Sequence, residues 1–272
     1  MCKFEETAKV LSQRELAQGI YDLTLQTTDI AKNAKAGQFV SVYCNDGTKL
    51  LPRPISLCGI DREQGTIRLV YRVTGEGTGT EGFSKLAQGD SIRILGPLGN
   101  GFTVLPGKKA FLIGGGIGVP PMLQLAKDIN AGIAQGLEAQ ASDKPKMQIV
   151  MGYRNADTFL LDEFKEQAEV LVATEDGSIG AKGNVLDAIR EAAAEAEVIY
   201  ACGPTPMLRA LKAYAGEHQM NCFISMEERM ACGIGACLAC VCKSKDKDAH
   251  TNVNNKRICK EGPVFDAWEV EL

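Results

Sequence analysis

Four cysteines carry the most specific chemical signal in the chain. Cys232-Gly-Ile-Gly-Ala-Cys237-Leu-Ala-Cys240 has the form C-x4-C-x2-C, and eighteen residues separate Cys240 from Cys259. This is the plant-type spacing for a [2Fe–2S] cluster held by four thiolates. The residues between the first two ligands are Gly, Ile, Gly and Ala, and the small ones let the loop turn sharply and aim its N–H groups at sulfur. A structural zinc ion is the competing reading. Zinc takes C-x2-C-like pairs, and x4 followed by x2 fits that poorly. Cys242, two residues past Cys240, competes as a ligand, and the spacing favours Cys240. The charged residues 243–248 read as a solvated loop ahead of Cys259.

Other stretches suit phosphate recognition. Arg53-Pro54-Ile55-Ser56 opens a strand, and a fixed guanidinium can donate two parallel bonds to a pyrophosphate. Gly77-Thr78-Gly-Thr-Glu81 opens a helix, with Thr78 and Glu81 spaced as a capping box at an anion-binding helix start. Either piece alone reads equally as a capped turn or a surface arginine. Gly114-Gly-Gly116-Ile-Gly118-Val-Pro120-Pro121 lies between a strand and a helix, where glycines let the backbone approach a pyrophosphate. It ends in proline where the Rossmann G-x-G-x-x-G has glycine, and proline is tolerated at a helix start. Many such turns are glycine-rich for packing alone. Cys202-Gly203-Pro204 follows another strand, with Thr205 and Pro206 placed as N-cap and first residue of the next helix. Cys202 competes with a plain buried thiol. Thr174-Glu175-Asp176-Gly-Ser178 follows a third strand.

The elements that must position these residues show two patterns. Residues 20–26, 39–43, 67–73 and 91–95 alternate apolar and polar, the period of half-buried strands, with turn residues at Asn45-Asp-Gly, Gly65 and Gly89-Asp. An antiparallel β-barrel over 1–105 follows. Beyond it, apolar runs at 110–113, 147–151, 170–173 and 198–201 alternate with helical patterns from Met122 and over 162–169, 185–196 and 206–216. That alternation implies a doubly wound parallel sheet over 106–220. Residues 136–146 are polar and Ala-rich and read as a surface excursion. The remaining 221–272 form a unit too small for a large core of its own, which a metal centre would help hold. The fold class is β + α/β with a small C-terminal [2Fe–2S] domain.

Composition narrows the function classes. Of 272 residues, 45% are hydrophobic and 24% charged, with a net charge of −4, so no basic field draws nucleic acid or anionic membrane. The opening Met-Cys-Lys-Phe-Glu-Glu has no positive n-region followed by an apolar h-region, so no signal peptide is expected. The apolar stretch 110–126 is interrupted by glycines and prolines and is too short to span a bilayer. A cytoplasmic location is expected. Ten cysteines without an export signal read as one metal site plus the scattered thiols Cys2, Cys44, Cys58, Cys202 and Cys222. With His218 and His250 the only histidines, a His-based metal centre or triad is disfavoured.

The order of these parts resembles the ferredoxin–NADP reductase superfamily. Arg53-Pro-Ile-Ser, Gly-Gly-Ile-Gly-Val-Pro-Pro and Glu228-Arg-Met-Ala-Cys-Gly-Ile-Gly-Ala-Cys-Leu-Ala-Cys further resemble the electron-transfer subunits of class 1B dihydroorotate dehydrogenases, over the whole chain. The resemblance implies that Arg53, Pro54, Ile55, Ser56, Gly77 and Thr78 hold FAD, with Val70, Tyr71 and Arg72 alongside. Gly114, Gly116, Gly118 and Pro120 would form the first NAD loop, similar to the superfamily's G-x-G-x-x-P. Gly203 and Pro204 would form the second. Cys202 would lie beside the nicotinamide and flavin rings, the one side chain put forward as catalytic. Glu175 and Asp176 would meet the ribose and disfavour a 2′-phosphate, favouring NADH. Cys232, Cys237, Cys240 and Cys259 would bind the cluster. The implied partner is an FMN-containing dihydroorotate dehydrogenase catalytic subunit in an α2β2 heterotetramer, with electrons moving between that FMN and NAD+. Sister proteins are the small subunit of NADH-dependent ferredoxin–NADP oxidoreductase and the γ subunit of sulfhydrogenases. No base for dihydroorotate oxidation stands out, which leaves that step to the partner. The alternative is an NAD(P)H flavin reductase that is either self-contained, serving small acceptors such as ferredoxin or quinones, or linked to a hydrogenase or ferredoxin. A non-catalytic cluster carrier fits two nucleotide motifs poorly. The stretches 136–146 and 243–257 are longer than in common versions. Ile234, Leu238, Val241, Phe265 and Trp268 near the cluster are expected as an exposed docking patch.

Overall fold

Alternating residues over the first hundred positions close into a barrel. The structure, a computed structural model, describes residues 2–137, 144–248 and 252–272, so parts of the 136–146 and 243–257 stretches lie outside the described residues. Six antiparallel strands form the barrel: β1 (Phe4–Ala17), β2 (Ile20–Gln26), β3 (Phe39–Val42), β4 (Arg53–Asp61), β5 (Thr66–Arg72) and β6 (Ser91–Leu98). They pair in the order β1-β2-β5-β4-β3-β6, and β6 closes on β1. Val10, Leu23, Leu69 and Ile94 point inward and are fully buried, as the two-residue period of a strand dictates. Two short helices, α1 (Asp29–Asn33) and α2 (Gly79–Ser84), decorate the barrel. β1 carries little sequence signal, because only Ala8 and Val10 of its 14 residues are buried.

From Ala110 the chain winds a largely parallel sheet. Its strands are β7 (Ala110–Gly115), β8 (Met147–Tyr153), β9 (Val170–Thr174), β10 (Ala181–Lys182), β11 (Val198–Cys202) and β12 (Asn221–Ser225). Helices α3 (Val119–Ala131), α4 (Leu161–Lys165), α5 (Val185–Glu191) and α6 (Thr205–Glu217) cross between them. The C-terminal segment adds a two-stranded piece, β13 (Val241–Lys243) with β14 (Asn255–Arg257), and then β15 (Val264–Asp266). The sheet order is β10-β9-β8-β7-β11-β12-β15. The chain winds outward from β7 to β10, then returns to lay β11 and β12 on the other side. The order therefore reverses between β7 and β11, the place where such sheets collect ligands outside their C-terminal strand ends.

Several boundaries move from their expected places. The sheet does not stop at residue 220: β12 pairs with β11 from Val198↔Asn221 to Cys202↔Ser225, and antiparallel β15 covers its outer edge. An uncovered apolar edge strand would be a template for unwanted pairing. The helical patterns over 162–169 and 185–196 yield shorter helices. α5 stops at Glu191 and the chain turns at Ala193 with φ 47, although the alanine-rich sequence gives no stop signal. α6 begins at Thr205 with Pro204 at its N-cap, one residue ahead of expectation.

Two buried clusters tie the parts together. One joins Cys58, Val70 and Phe102 on the barrel side to Leu112, Leu123 and Tyr200 of the sheet layer. The other joins Phe39 and Leu98 to Phe111 and Leu211, and onward to Cys240, Ile258 and Cys259. Polar contacts fix the same seam. The Ile60 N–H donates to Gln124 Oε1 at 2.6 Å, and Arg68 reaches both Asp22 and Glu163 at 2.7 Å. Among the described residues no helix is long and apolar enough to cross a membrane.

Candidate functional site

At the switch point between barrel and sheet lies a cavity of about 530 Å³. This is within the range of small-molecule sites. Residues Arg53 to Ser56 of β4 and Val70 to Arg72 of β5 wall one side, while Ile117 and the segment from Ser225 to Met230 wall the other. Of the two pieces expected to bind phosphate, the Arg53 segment lines the cavity and the α2 start reaches it through Thr80, with Gly77 and Thr78 outside the lining. A Cβ on Gly79 would stand 2.9 Å from Arg53 Nε and 2.7 Å from Cys44 Sγ, so the guanidinium lies against the first residue of α2 and only glycine leaves it room. Arg53 Nη1 donates to the Leu51 carbonyl. Thr78 caps α2, its Oγ1 accepting from the Glu81 N–H at 3.3 Å. Glu81 accepts in return from Gly77 N at 2.6 Å rather than from Thr78, so the expected box is displaced by one residue. Tyr71 lines the cavity yet is tightly held. Its hydroxyl donates to Gln13 Oε1 at 3.0 Å, and its ring stacks on Tyr21 with centroids 5.9 Å apart. A cavity with a backed guanidinium, a capped helix start and apolar walls fits a flavin dinucleotide.

The nicotinamide turns also converge, for a reason only partly anticipated. A Cβ on Gly118 would stand 2.3 Å from the Cys202 carbonyl oxygen, so this glycine lets the β7–α3 and β11–α6 turns touch rather than admitting a ligand. Gly114 is closed by Val119 and Met151, each 2.8 Å from its notional Cβ, and Gly203 is closed by Met207. Gly116 is the open position. It has φ 54, and the nearest atom to a Cβ there is Arg72 Nη2 at 3.9 Å. Pro120 and Pro121 sit in the first turn of α3. Pro204 packs on Gly115, 3.3 Å from its notional Cβ. Cys202 is 1% exposed; burial and the Glu227 charge push its thiol up, against a hydrogen bond with Ser225. Glu175 and Asp176 stand exposed at the C-terminal end of β9, two strands from β7, with the Asp176 carboxylate held low by Ser178.

Glu227 is a residue the sequence reading passed over. It follows β12 and lines the cavity. Its surface is open to the cleft, yet protein crowds it there. The lost hydration raises its carboxyl above the ordinary range, against the opposing charge of Arg72. Its position at the C-terminal end of a strand beside the switch point was the available signal, hidden because β12 was assigned to another unit.

The four cysteines gather as two pairs. Cys232 Sγ accepts from the N–H groups of Ile234, Ala236 and Cys237 at 3.3–3.4 Å. Burial opposes ionisation of this thiol, but those donors and the Cys237 side chain outweigh it and bring it down to about 6. Cys240 Sγ accepts from the Cys259 N–H at 3.4 Å. Cys259 is pushed up to about 12 by burial, by its bond with Cys240 and by the charges of Cys240 and Cys232. Gly233 and Gly235, with φ 68 and 88, make the turns that aim the N–H groups. Among the described residues no three His, Cys, Asp or Glu side chains form a shell for a single metal ion. Two irons shared among four thiolates need pairs rather than one such shell, so the residues fit a binuclear cluster. Cys242 is turned elsewhere, its thiol donating to the Lys256 carbonyl at 3.5 Å. Arg257 of β14, at the end of the 243–257 stretch, donates to Gly235 O at 3.1 Å and to Glu261 at 3.0 Å, tying the cluster loop to the Cys259 turn. Of the expected docking patch, Ile234, Leu238 and Val241 are exposed at 42%, 48% and 38%. Trp268 is exposed as well, at 44%, with its ring edge against Gly216 of α6, whereas Phe265 is buried in the core.

Barrel, wound sheet and paired thiols together define a flavin- and nicotinamide-linked reductase of the ferredoxin–NADP reductase fold with an iron–sulfur lobe. Three family models match in order: an oxidoreductase FAD-binding domain over residues 8–102, an oxidoreductase NAD-binding domain over 112–213, and the iron–sulfur cluster binding domain of dihydroorotate dehydrogenase B over 227–271. The chain belongs to the family of electron transfer subunits of dihydroorotate dehydrogenase B (NAD(+)). It is 40% identical over 98% of its length, and 99% of the relative's, to the subunit so named from Caldanaerobacter subterraneus subsp. tengcongensis. The subunit from Listeria monocytogenes is 44% identical over 97% of this chain and 98% of its own. Among solved structures, a chain described under flavin-based electron bifurcation by NADH-dependent reduced ferredoxin–NADP oxidoreductase superposes with a TM-score of 0.81 at 28% identity, covering 98% of this chain and 90% of that one. FAD, NAD and a [2Fe–2S] cluster are the cofactors of this oxidoreductase.

Proposed function

We propose that the chain conveys electrons between NAD(H) and the FMN of a dihydroorotate dehydrogenase catalytic subunit, and so supports oxidation of dihydroorotate to orotate in pyrimidine biosynthesis. The observation that carries this is contiguity. The cavity is walled by the flavin segment, meets the first nicotinamide turn at Ile117, to which the second turn is joined through the Gly118–Cys202 contact, and is separated from the cluster loop by a single strand, β3, which offers Phe39 to the cavity and packs Ser41 against Gly233. FAD, when bound, supplies hydride exchange with nicotinamide and single-electron exchange with the iron–sulfur cluster.

The chain's residues position and exclude. Arg53 and the α2 start hold the flavin pyrophosphate, with Pro54, Ile55, Ser56 and Val70 to Arg72 forming the ring wall. Gly116 brings the β7–α3 turn to the NAD pyrophosphate, and Gly114, Gly118, Pro120, Gly203 and Pro204 shape that turn and its neighbour. Glu175 and Asp176 select NADH by repelling a 2′-phosphate. Glu227 borders the ring-stacking space, and Cys202, buried outside its lining, backs it through its strand partner Ser225. Cys232, Cys237, Cys240 and Cys259 ligate the cluster. The exposed apolar loop residues Ile234, Leu238 and Val241 dock the catalytic subunit, in an α2β2 assembly, in the cytoplasm. The flavin barrel takes 1–105 and the NAD domain starts at 106; β12 is shared between that domain and the cluster unit that ends at 272. A second reading, a ferredoxin-linked reductase, draws on the bifurcating structural neighbour. The test is analytical. Purified protein is expected to carry FAD with iron and acid-labile sulfide at two each per chain, and NADH is expected to bleach it faster than NADPH does. Zinc without sulfide, or equal rates with both nucleotides, contradicts the assignments.

A further inference from the structure

Ser41 lies on β3, between the flavin segment and the cluster loop. Its side chain is 1% exposed, and among the described residues its Oγ is the buried side-chain oxygen or nitrogen without a hydrogen-bond partner. Such a group calls for a reason, because a buried hydroxyl loses its water without compensation. The two-residue period of β3 sends Val40 and Val42 into the barrel core and Phe39 and Ser41 to the opposite face. Phe39 lines the flavin cavity, and Ser41 pairs across the strands with Pro54 of the flavin segment. Facing Ser41 is Gly233, the residue after Cys232. A Cβ on Gly233 would stand 2.7 Å from Ser41 Oγ and 3.2 Å from Leu98, so the cluster loop descends on the hydroxyl backbone-first. The loop's own N–H groups serve Cys232 Sγ from within. Ser41 approaches from the barrel, the side where the flavin lies.

We propose that the Ser41 hydroxyl donates a hydrogen bond to a sulfur of the bound cluster on its flavin-facing side, and thereby sets the cluster's reduction potential. The proposal rests on Cys232, Cys237, Cys240 and Cys259 being the ligands. Hydrogen bonds to the sulfurs are among the factors that set such potentials, and a donor favours the more negative, reduced state. The competing explanation is packing alone, with serine chosen only for its small size beneath Gly233.

The two explanations separate in an EPR-monitored redox titration of the full chain carrying FAD and cluster. At a fixed ambient potential Ser41→Ala is expected to lower the reduced-to-oxidised ratio of the cluster about tenfold, which is 59 mV for a one-electron couple. Iron, sulfide and FAD contents, and the flavin potential, are expected to stay unchanged. Ser41→Thr restores the hydroxyl and is expected to hold the wild-type potential, whereas the isosteric Ser41→Val falls with alanine. A wild-type potential in Ser41→Ala at full cluster content overturns the proposal. If Ser41→Ala does not load, the Thr and Val pair decides: equal potentials, or equal loss of the cluster, overturn it. Wild-type protein without iron and sulfide would instead refute the ligand assignment.

Discussion

Arg53 is the residue on which the flavin wall turns. Its guanidinium is backed by Gly79 and held by the Leu51 carbonyl, so it is already oriented for an anion before any ligand arrives. Arg53→Ala removes a charge-assisted bond worth about 1.5–3 kcal/mol. FAD is expected to dissociate at least tenfold faster, and an unchanged release rate on dilution would make Arg53 a surface charge. The ligand set is tested in the same way. Cys259→Ser is expected to lose or badly weaken the cluster and Cys242→Ser to retain it, read by iron and sulfide content. This follows from Cys259 pairing with Cys240 while Cys242 points to Lys256. Gly116→Val places a β-branched side chain at φ 54 in the open part of the turn. Reduction by NADH is expected to collapse while FAD and cluster remain bound.

Among the elements, the two turns at the C-terminal ends of β7 and β11 form one unit, because Gly118 sits on the Cys202 carbonyl. Gly118→Ala overfills that contact. It is expected to cost roughly 1–3 kcal/mol and to lower the thermal midpoint with the cofactors in place. A full-stability alanine variant would show that the turns can part. The sequence made these elements legible where a local rule governs them: the cysteine spacing, the strand–glycine–helix turns, and the two-residue period of β2, β3, β5 and β6. It was silent where the determinant is distant. β1 is recruited by pairing with β2 and β6 rather than by its own pattern. β12 looks like the start of the cysteine-rich unit until β11 is seen to need a neighbour. Glu227, Arg257 and Ser41 acquire meaning only when segments far apart in the chain come together, and Phe265 lost its expected exposure because β15 turns it into the core.

On the scale of the whole molecule, the barrel, sheet and cluster lobe share continuous cores, so the flavin cleft and the cluster loop are held in fixed relation. The proposed exit for electrons is the exposed loop around Leu238, an apolar residue at φ 58. Strain and exposure together mark a surface shaped for contact. Leu238→Glu is expected to abolish coupling to the catalytic subunit while leaving NADH oxidation with artificial acceptors intact. The most direct test of the whole account is reconstitution. The purified chain alone is expected to oxidise NADH with artificial acceptors and to leave dihydroorotate untouched. Mixed with an FMN-containing dihydroorotate dehydrogenase catalytic subunit, it is expected to give dihydroorotate oxidation that depends on NAD+. A chain that stays monomeric in the mixture, confers no NAD+-dependent turnover and reduces ferredoxin efficiently by itself would contradict the account.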